Sequence, residues 1–175
     1  MVEAVFLGIL FVIVAGVPMW SFYARRRAMR RLLASLRNMV LDTPQEYDVV
    51  MMDIGKWGVV VSVMSTSLGD ASLYLSFGGG VLGGFDHENV REAAKAFVAG
   101  VKAAVGGSAS PFAITTDHPY PEVGEVRCYF RTAETLHVAA AEVRELEAKR
   151  SELWPLWIAG QNVIAQLRLI SPGPS

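Results

Sequence analysis

The chain has 175 residues, 52% of them hydrophobic, with a formal net charge of −1 and a single cysteine, Cys128. One cysteine excludes an internal disulfide and a cysteine metal cluster, and a lone thiol fits a reducing compartment. The small net charge conceals a split. Six arginines and no acid lie between Ala24 and Val40, whereas 16 acidic residues face 10 basic ones from Leu41 onward. An acidic domain behind a basic collar is a poor nucleic-acid binder, because backbone affinity comes from clustered cations.

Mean hydropathy is +0.33, and the excess is concentrated at the start. Ala4 to Tyr23 carries no charge and only Ser21 as a polar side chain. Twenty helical residues rising about 1.5 Å each cover about 30 Å, the hydrocarbon thickness of a bilayer. Pro18 falls near the end, where few backbone bonds are lost. Trp20 and Tyr23 sit where an interfacial aromatic belt would, followed at once by Arg25, Arg26, Arg27, Arg30 and Arg31. A cleaved signal peptide is the competing reading, but it needs a positive n-region, and here that region is Met-Val-Glu. The expectation is a transmembrane anchor over residues 1–24 in the cell membrane. The positive-inside bias then puts the N-terminus outside and the C-terminal domain in the cytoplasm.

Residues 25–42 read as a basic amphipathic juxtamembrane helix. Met29, Leu32, Leu33, Leu36 and Val40 form one stripe, with arginines around the rest. That helix can lie on an anionic inner leaflet, pack on the following domain, or do each with different turns. Pro44 ends it.

Residues 43–170 read as a cytoplasmic α+β domain, and 171–175 (SPGPS) as a disordered tail. Glu46 to Gly55 is a short apolar run flanked by Asp48 and Asp53, read as extended. Trp57 to Thr66 is β-branched and apolar, and Ala71 to Phe77 alternates, so the two form a hairpin across Ser67–Asp70. Val90, Ala93, Ala94, Phe97, Val98, Val101, Ala104 and Val105 recur at helical spacing, with Asp86 as the expected cap and Gly106–Gly107 as the stop. Phe112 to Thr116 is a candidate short strand before the loop Asp117-His118-Pro119-Tyr120-Pro121. Val126–Thr132 and Leu136–Ala141 form a second hairpin, which places Cys128 in the core. The charged run from Glu142 to Glu152 is read as a solvated helix or a loop. A last helix follows, with Leu156, Ala159, Gly160, Val163, Ile164 and Leu167 on one face.

The predicted architecture is an antiparallel sheet of about five strands with helices packed on it, in the order α-β-β-α-β-β-β-α. That order of elements, over roughly Arg30 to Ile170, resembles roadblock and longin-type domains. Those families are mostly dimeric, non-catalytic platforms for regulatory GTPases, so the resemblance implies an interaction module. It carries no motif, and no binding residue is transferred by it.

Gly78, Gly80 and Gly83 match G-x-G-x-x-G after a strand and before a helix, with Gly79 and Gly84 beside them. In a dinucleotide fold such glycines admit a pyrophosphate at the helix N-terminus. Here Asp86 and Glu88 would stand where a phosphate belongs, and the bend holds no lysine or arginine. His87, Asp117 and His118 complete the ligand-binding alternative, the last two because loops on a scaffold often carry function. The three histidines lack metal-ligand spacing, so neither a metal nor a cofactor is expected. The favoured expectation is a membrane-anchored interaction or scaffolding module, non-enzymatic and self-associating or bound to a protein partner. The alternative is a membrane-tethered ligand sensor or enzyme built on the Gly78–Gly84 bend.

Overall fold

The computed structural model describes residues 27–28 and 31–170. The anchor expected over 1–24 and the tail at 171–175 lie outside them. Among the described residues no helix is long and apolar enough to cross a membrane.

Helix α1 (residues 31–42, with 27–28 also helical) comes first. The strands β1 (Val49–Lys56), β2 (Val59–Thr66), β3 (Ala71–Leu75) and β4 (Gly80–Val81) follow, then a 3-10 turn at Gly84–Asp86 and α2 (Glu88–Gly106). After α2 come β5 (Ala113–Ile114), β6 (Glu125–Arg131), β7 (Leu136–Glu142), α3 (Val143–Glu147) and α4 (Trp154–Ile170). The strands make one seven-stranded sheet in the order β4-β3-β2-β1-β6-β7-β5, and every pairing is antiparallel.

The α+β class holds, and both expected hairpins form in register. The strand count and element order do not match the expectation. Two-residue strands close each edge, and a full strand, β1, occupies the middle of the sheet. Three long strands therefore precede α2 and two follow it. The two added strands are β4, formed inside the glycine bend, and β1. Its Val49–Gly55, read above as extended but not counted in the element order, is buried at every position. A strand covered on both faces shows a continuous apolar run with no alternation to mark it.

The two faces of the sheet are covered unequally. Val50, Met52, Val63, Leu73, Cys128 and Phe130 meet α2 and α4 in the main core, around Phe97, Val101, Val163 and Leu167. Each such side chain contributes about 2 kcal/mol when fully buried. Gly160 allows α4 to close on this core, since a Cβ there would run into the Met52 thiomethyl and stand 3.3 Å from the Phe97 ring. On the opposite face α1 helps form a smaller cluster of Leu41, Met51, Tyr129 and Leu136.

Helix α1 buries Leu33, Arg37 and Leu41, while Leu32 is exposed and Leu36 and Val40 are half-buried. Of the expected stripe Leu33 is buried, but the contact ridge runs in steps of four through Arg37 and Leu41, so it is rotated away from Leu32. The long helix α2 starts at Glu88 with His87 as its N-cap and no side-chain capping bond. Asp86 is instead taken up by the preceding 3-10 turn, so it does not serve as the expected cap.

Candidate functional site

The most unusual chemistry lies where α1 crosses the centre of the sheet. Asp53, in the middle of β1, is 0% exposed, and Arg37 on α1 is 3% exposed. The Arg37 Nε donates to Asp53 Oδ2 at 2.8 Å, and one terminal nitrogen lies 2.7 Å from the same oxygen. The other terminal nitrogen donates to the His118 carbonyl at 2.8 Å and lies 3.2 Å from His118 Nδ1. The guanidinium also lies over the rings of Tyr120 and Tyr129, 4.3 and 5.3 Å from their centroids.

These contacts fix further details. A guanidinium can only donate, so His118 Nδ1 accepts and Nε2 carries the hydrogen. That Nε2 is 2.6 Å from Asp42 Oδ1, at the end of α1. The loop after His118 is held by Tyr129, whose hydroxyl donates to the Pro119 carbonyl at 2.7 Å. Asp53 is left with one oxygen, Oδ1, that is buried without a hydrogen-bond partner. Desolvation pushes its carboxyl pKa above the ordinary value, with the Arg37 charge pulling the other way. Burial also raises the Tyr120 and Tyr129 phenols.

Beside this pair is a small cavity of about 220 Å³ between α1 and β2–β3, lined by Leu33, Ala34, Arg37, Ser62, Tyr74, Leu75, Ser76 and Tyr120. Asp117 lines a shallower surface groove on the other side of the same loop, with Asn38, Thr116 and His118. Among the described residues, no group of three or more His, Cys, Asp and Glu side chains could hold a metal ion.

Asp117 and His118 thus belong with α1. The glycine bend has a different role. Gly78 donates to the Leu75 carbonyl and Leu75 to that of Gly79, which turns β3 back into β4 so that Tyr74 pairs with Gly80. Gly78 and Gly79 take φ of 103° and 96°, a region closed to most side chains. Gly83, at φ 72°, precedes the 3-10 turn, and Gly84 packs against Val90 and Leu167. His87 is exposed at the start of α2. Of the basic collar, Arg27 and Arg31 are described and exposed, while Trp20, Tyr23, Arg25, Arg26 and Arg30 lie outside the described residues.

Arg37 and Asp53 were not singled out by sequence reasoning, although a signal existed for each. Arg37 stands apart from the other arginines and falls four residues from both Leu33 and Leu41. Asp53 is an acid inside an apolar run, where an isolated charge calls for a partner.

Fold and site together define an α+β sheet domain whose N-terminal helix is keyed to the central strand by one buried ion pair. Comparison of the chain with protein-family models, curated proteins and solved structures gives no match.

Proposed function

We propose that this chain is a single-pass membrane protein whose cytoplasmic α+β domain is an interaction or scaffolding module, held in a fixed pose by its juxtamembrane helix. The observation that carries this reading is the Arg37–Asp53 pair, at 2.7 Å and almost wholly buried. A buried ion pair contributes little net stability, and its best-attested use is to fix register. Here the register set is that of α1 on the sheet. The polypeptide on the N-terminal side of α1 is the arginine-rich collar and then the uncharged stretch Ala4–Tyr23. A helix that continues from an anchor and is keyed to the central strand gives the domain an orientation at the membrane, as a platform for a protein partner or a second copy requires.

The test is expression of the full chain in cells, followed by alkaline carbonate extraction and external proteolysis. The chain is expected to stay in the membrane pellet, and the domain to resist protease until the membrane is permeabilised. Recovery of the chain in the carbonate supernatant would sink the anchor. Cleavage of the domain in intact cells would sink the orientation. Crosslinking of the membrane-embedded chain, or co-purification of one defined protein in stoichiometric yield, reports on the scaffolding role.

A further inference from the structure

The turn between β1 and β2 has the shape of an answer without a question. Lys56 pairs with Val59, so the loop is two residues long, and both take positive φ, Trp57 at 52° and Gly58 at 73°. Such a turn favours Asn-Gly or Gly-Gly, and a bulky side chain in the left-handed region is a genuine outlier. The strained residue is also 84% exposed, the most exposed of the large hydrophobic side chains among the described residues. Lys56 lies over its ring at 4.6 Å. Val123, on the next loop, is 70% exposed and lines the same cleft as Trp57. Backbone strain spent on presenting a tryptophan to solvent points to a contact made outside the described domain.

The direction of α1 says what that contact is. Leu41 clusters with Met51, Arg37 pairs with Asp53, and Leu33 shares a cavity with Leu75 and Ser76. Leu75 is level with Val61, which pairs with Ile54. Going backwards along α1 therefore means going forwards along β1, toward Trp57. From Arg37 back to Arg31 the described helix rises about 9 Å at 1.5 Å per residue, crossing toward β3 as it goes. Going from Asp53 to Trp57 covers about 13 Å at 3.3 Å per residue. The hairpin tip and the described start of α1 thus lie toward the same end of the sheet.

We propose that the Lys56–Trp57 tip, with Val123 beside it, touches the bilayer as a second contact that orients the domain; the partner is a lipid surface with anionic headgroups. This inference rests on the anchored reading above. The chemistry suits the interface, where an amphipathic aromatic ring sits at headgroup level and a lysine meets anionic lipid. Lys56 and Arg168 line the cleft beside Trp57 together with one acid, Glu147. Glu122 is exposed next to Val123, Glu125 is engaged by Arg127 at 3.0 Å, and the tip itself carries no acid.

The experiment uses the full chain in vesicles of phosphatidylcholine with a minority of phosphatidylglycerol. Because Cys128 is buried, Trp57→Cys can be labelled alone with an environment-sensitive fluorophore. Leu68→Cys serves as the control. Leu68 is exposed at the β2–β3 turn, at the far end of β2, about 23 Å from the tip. Headgroup spin-labelled lipid is expected to quench the label at 57 several-fold more than at 68, at every protein-to-lipid ratio. Equal, weak quenching at both sites, in a chain that still floats with the vesicles, would overturn the proposal and leave the anchor standing. Protection at 57 that grows with protein density would assign the tip to a second copy and overturn it too. A chain that fails to float overturns both readings. Hydroxyl-radical footprinting of the unsubstituted chain gives the same comparison without a variant: Trp57 protected and Leu68 oxidised supports the contact, and oxidation of both refutes it.

Discussion

Replacing Arg37 with methionine isolates the ion pair, because methionine has a similar reach along the channel between Tyr120 and Tyr129 but no charge. The substitution leaves Asp53 fully buried, with the Ser62 hydroxyl across the β1–β2 pairing as its remaining support. Such a carboxylate escapes its penalty by taking a proton. From the ordinary value of 3.8, protonation at pH 7 costs about 4 kcal/mol, at about 1.4 kcal/mol per pH unit. The His118 carbonyl also loses its donor, which adds about 1 kcal/mol. Because the wild-type value is itself raised, Arg37→Met should cost at most about 4–5 kcal/mol at pH 7, with about 3 kcal/mol the lower end of the range for breaking a buried pair. The sign of its pH dependence is fixed by linkage. A folded-state pKa raised above the unfolded one gives stability that is fully present below the unfolded value. That stability is lost as pH rises through the folded value. Without Arg37 the Asp53 value rises further, so the penalty shrinks as pH falls, by up to about 1.4 kcal/mol per unit between the two folded values. Urea unfolding of the chain in non-ionic detergent, followed by near-ultraviolet circular dichroism from pH 5 to 8, measures this. Arg37→Met combined with Asp53→Asn should recover more than half the loss and flatten the slope. A single-variant penalty below about 1 kcal/mol that does not change with pH would mean that α1 is not docked on the sheet as described.

Three further outcomes follow from the packing. The Cys128 thiol, buried and with its pKa pushed up to about 12 chiefly by desolvation, should not react with a thiol reagent at pH 8 until denaturant is added; stoichiometric labelling of the native chain would contradict its place in the core. Gly160→Val should cost at least 1–3 kcal/mol by overpacking against Met52 and Phe97, read as a shift in the urea midpoint. Trp57→Asn should stabilise the domain by about 1 kcal/mol by relieving the strained turn, while weakening vesicle contact at the tip; an unchanged midpoint would mean the turn holds no strain.

What could be read in the sequence follows from how many faces each element hides. The hairpin strands keep Val63, Leu73, Val126, Cys128 and Phe130 on the main-core side and alternate them mostly with polar residues, and α2 buries one side, so their periodicities are plain in the residues. The sheet centre is the opposite case. Val49–Gly55 is covered on both sides, its run is unpatterned, and Asp53 reads as an interruption when it is the site's key residue. Arg37 was hidden by company, since five arginines upstream made it look like one more solvated cation. His118 was legible as a loop residue of interest, but its partner was not, because 81 residues separate it from Arg37. Asp86 failed as a cap because a 3-10 turn, invisible to helical periodicity, consumed it.

The placement of β1 between β2 and β6 has a mechanical meaning. Any tug on the N-terminal segment enters the domain through α1 and is delivered to the middle strand, not to an edge. Eight residue pairs tie that strand to β2 and six tie it to β6, so a pull along it loads two ladders in shear at once. A domain tethered this way would give first at the helix and its single ion pair, while the sheet and the core behind it kept their shape.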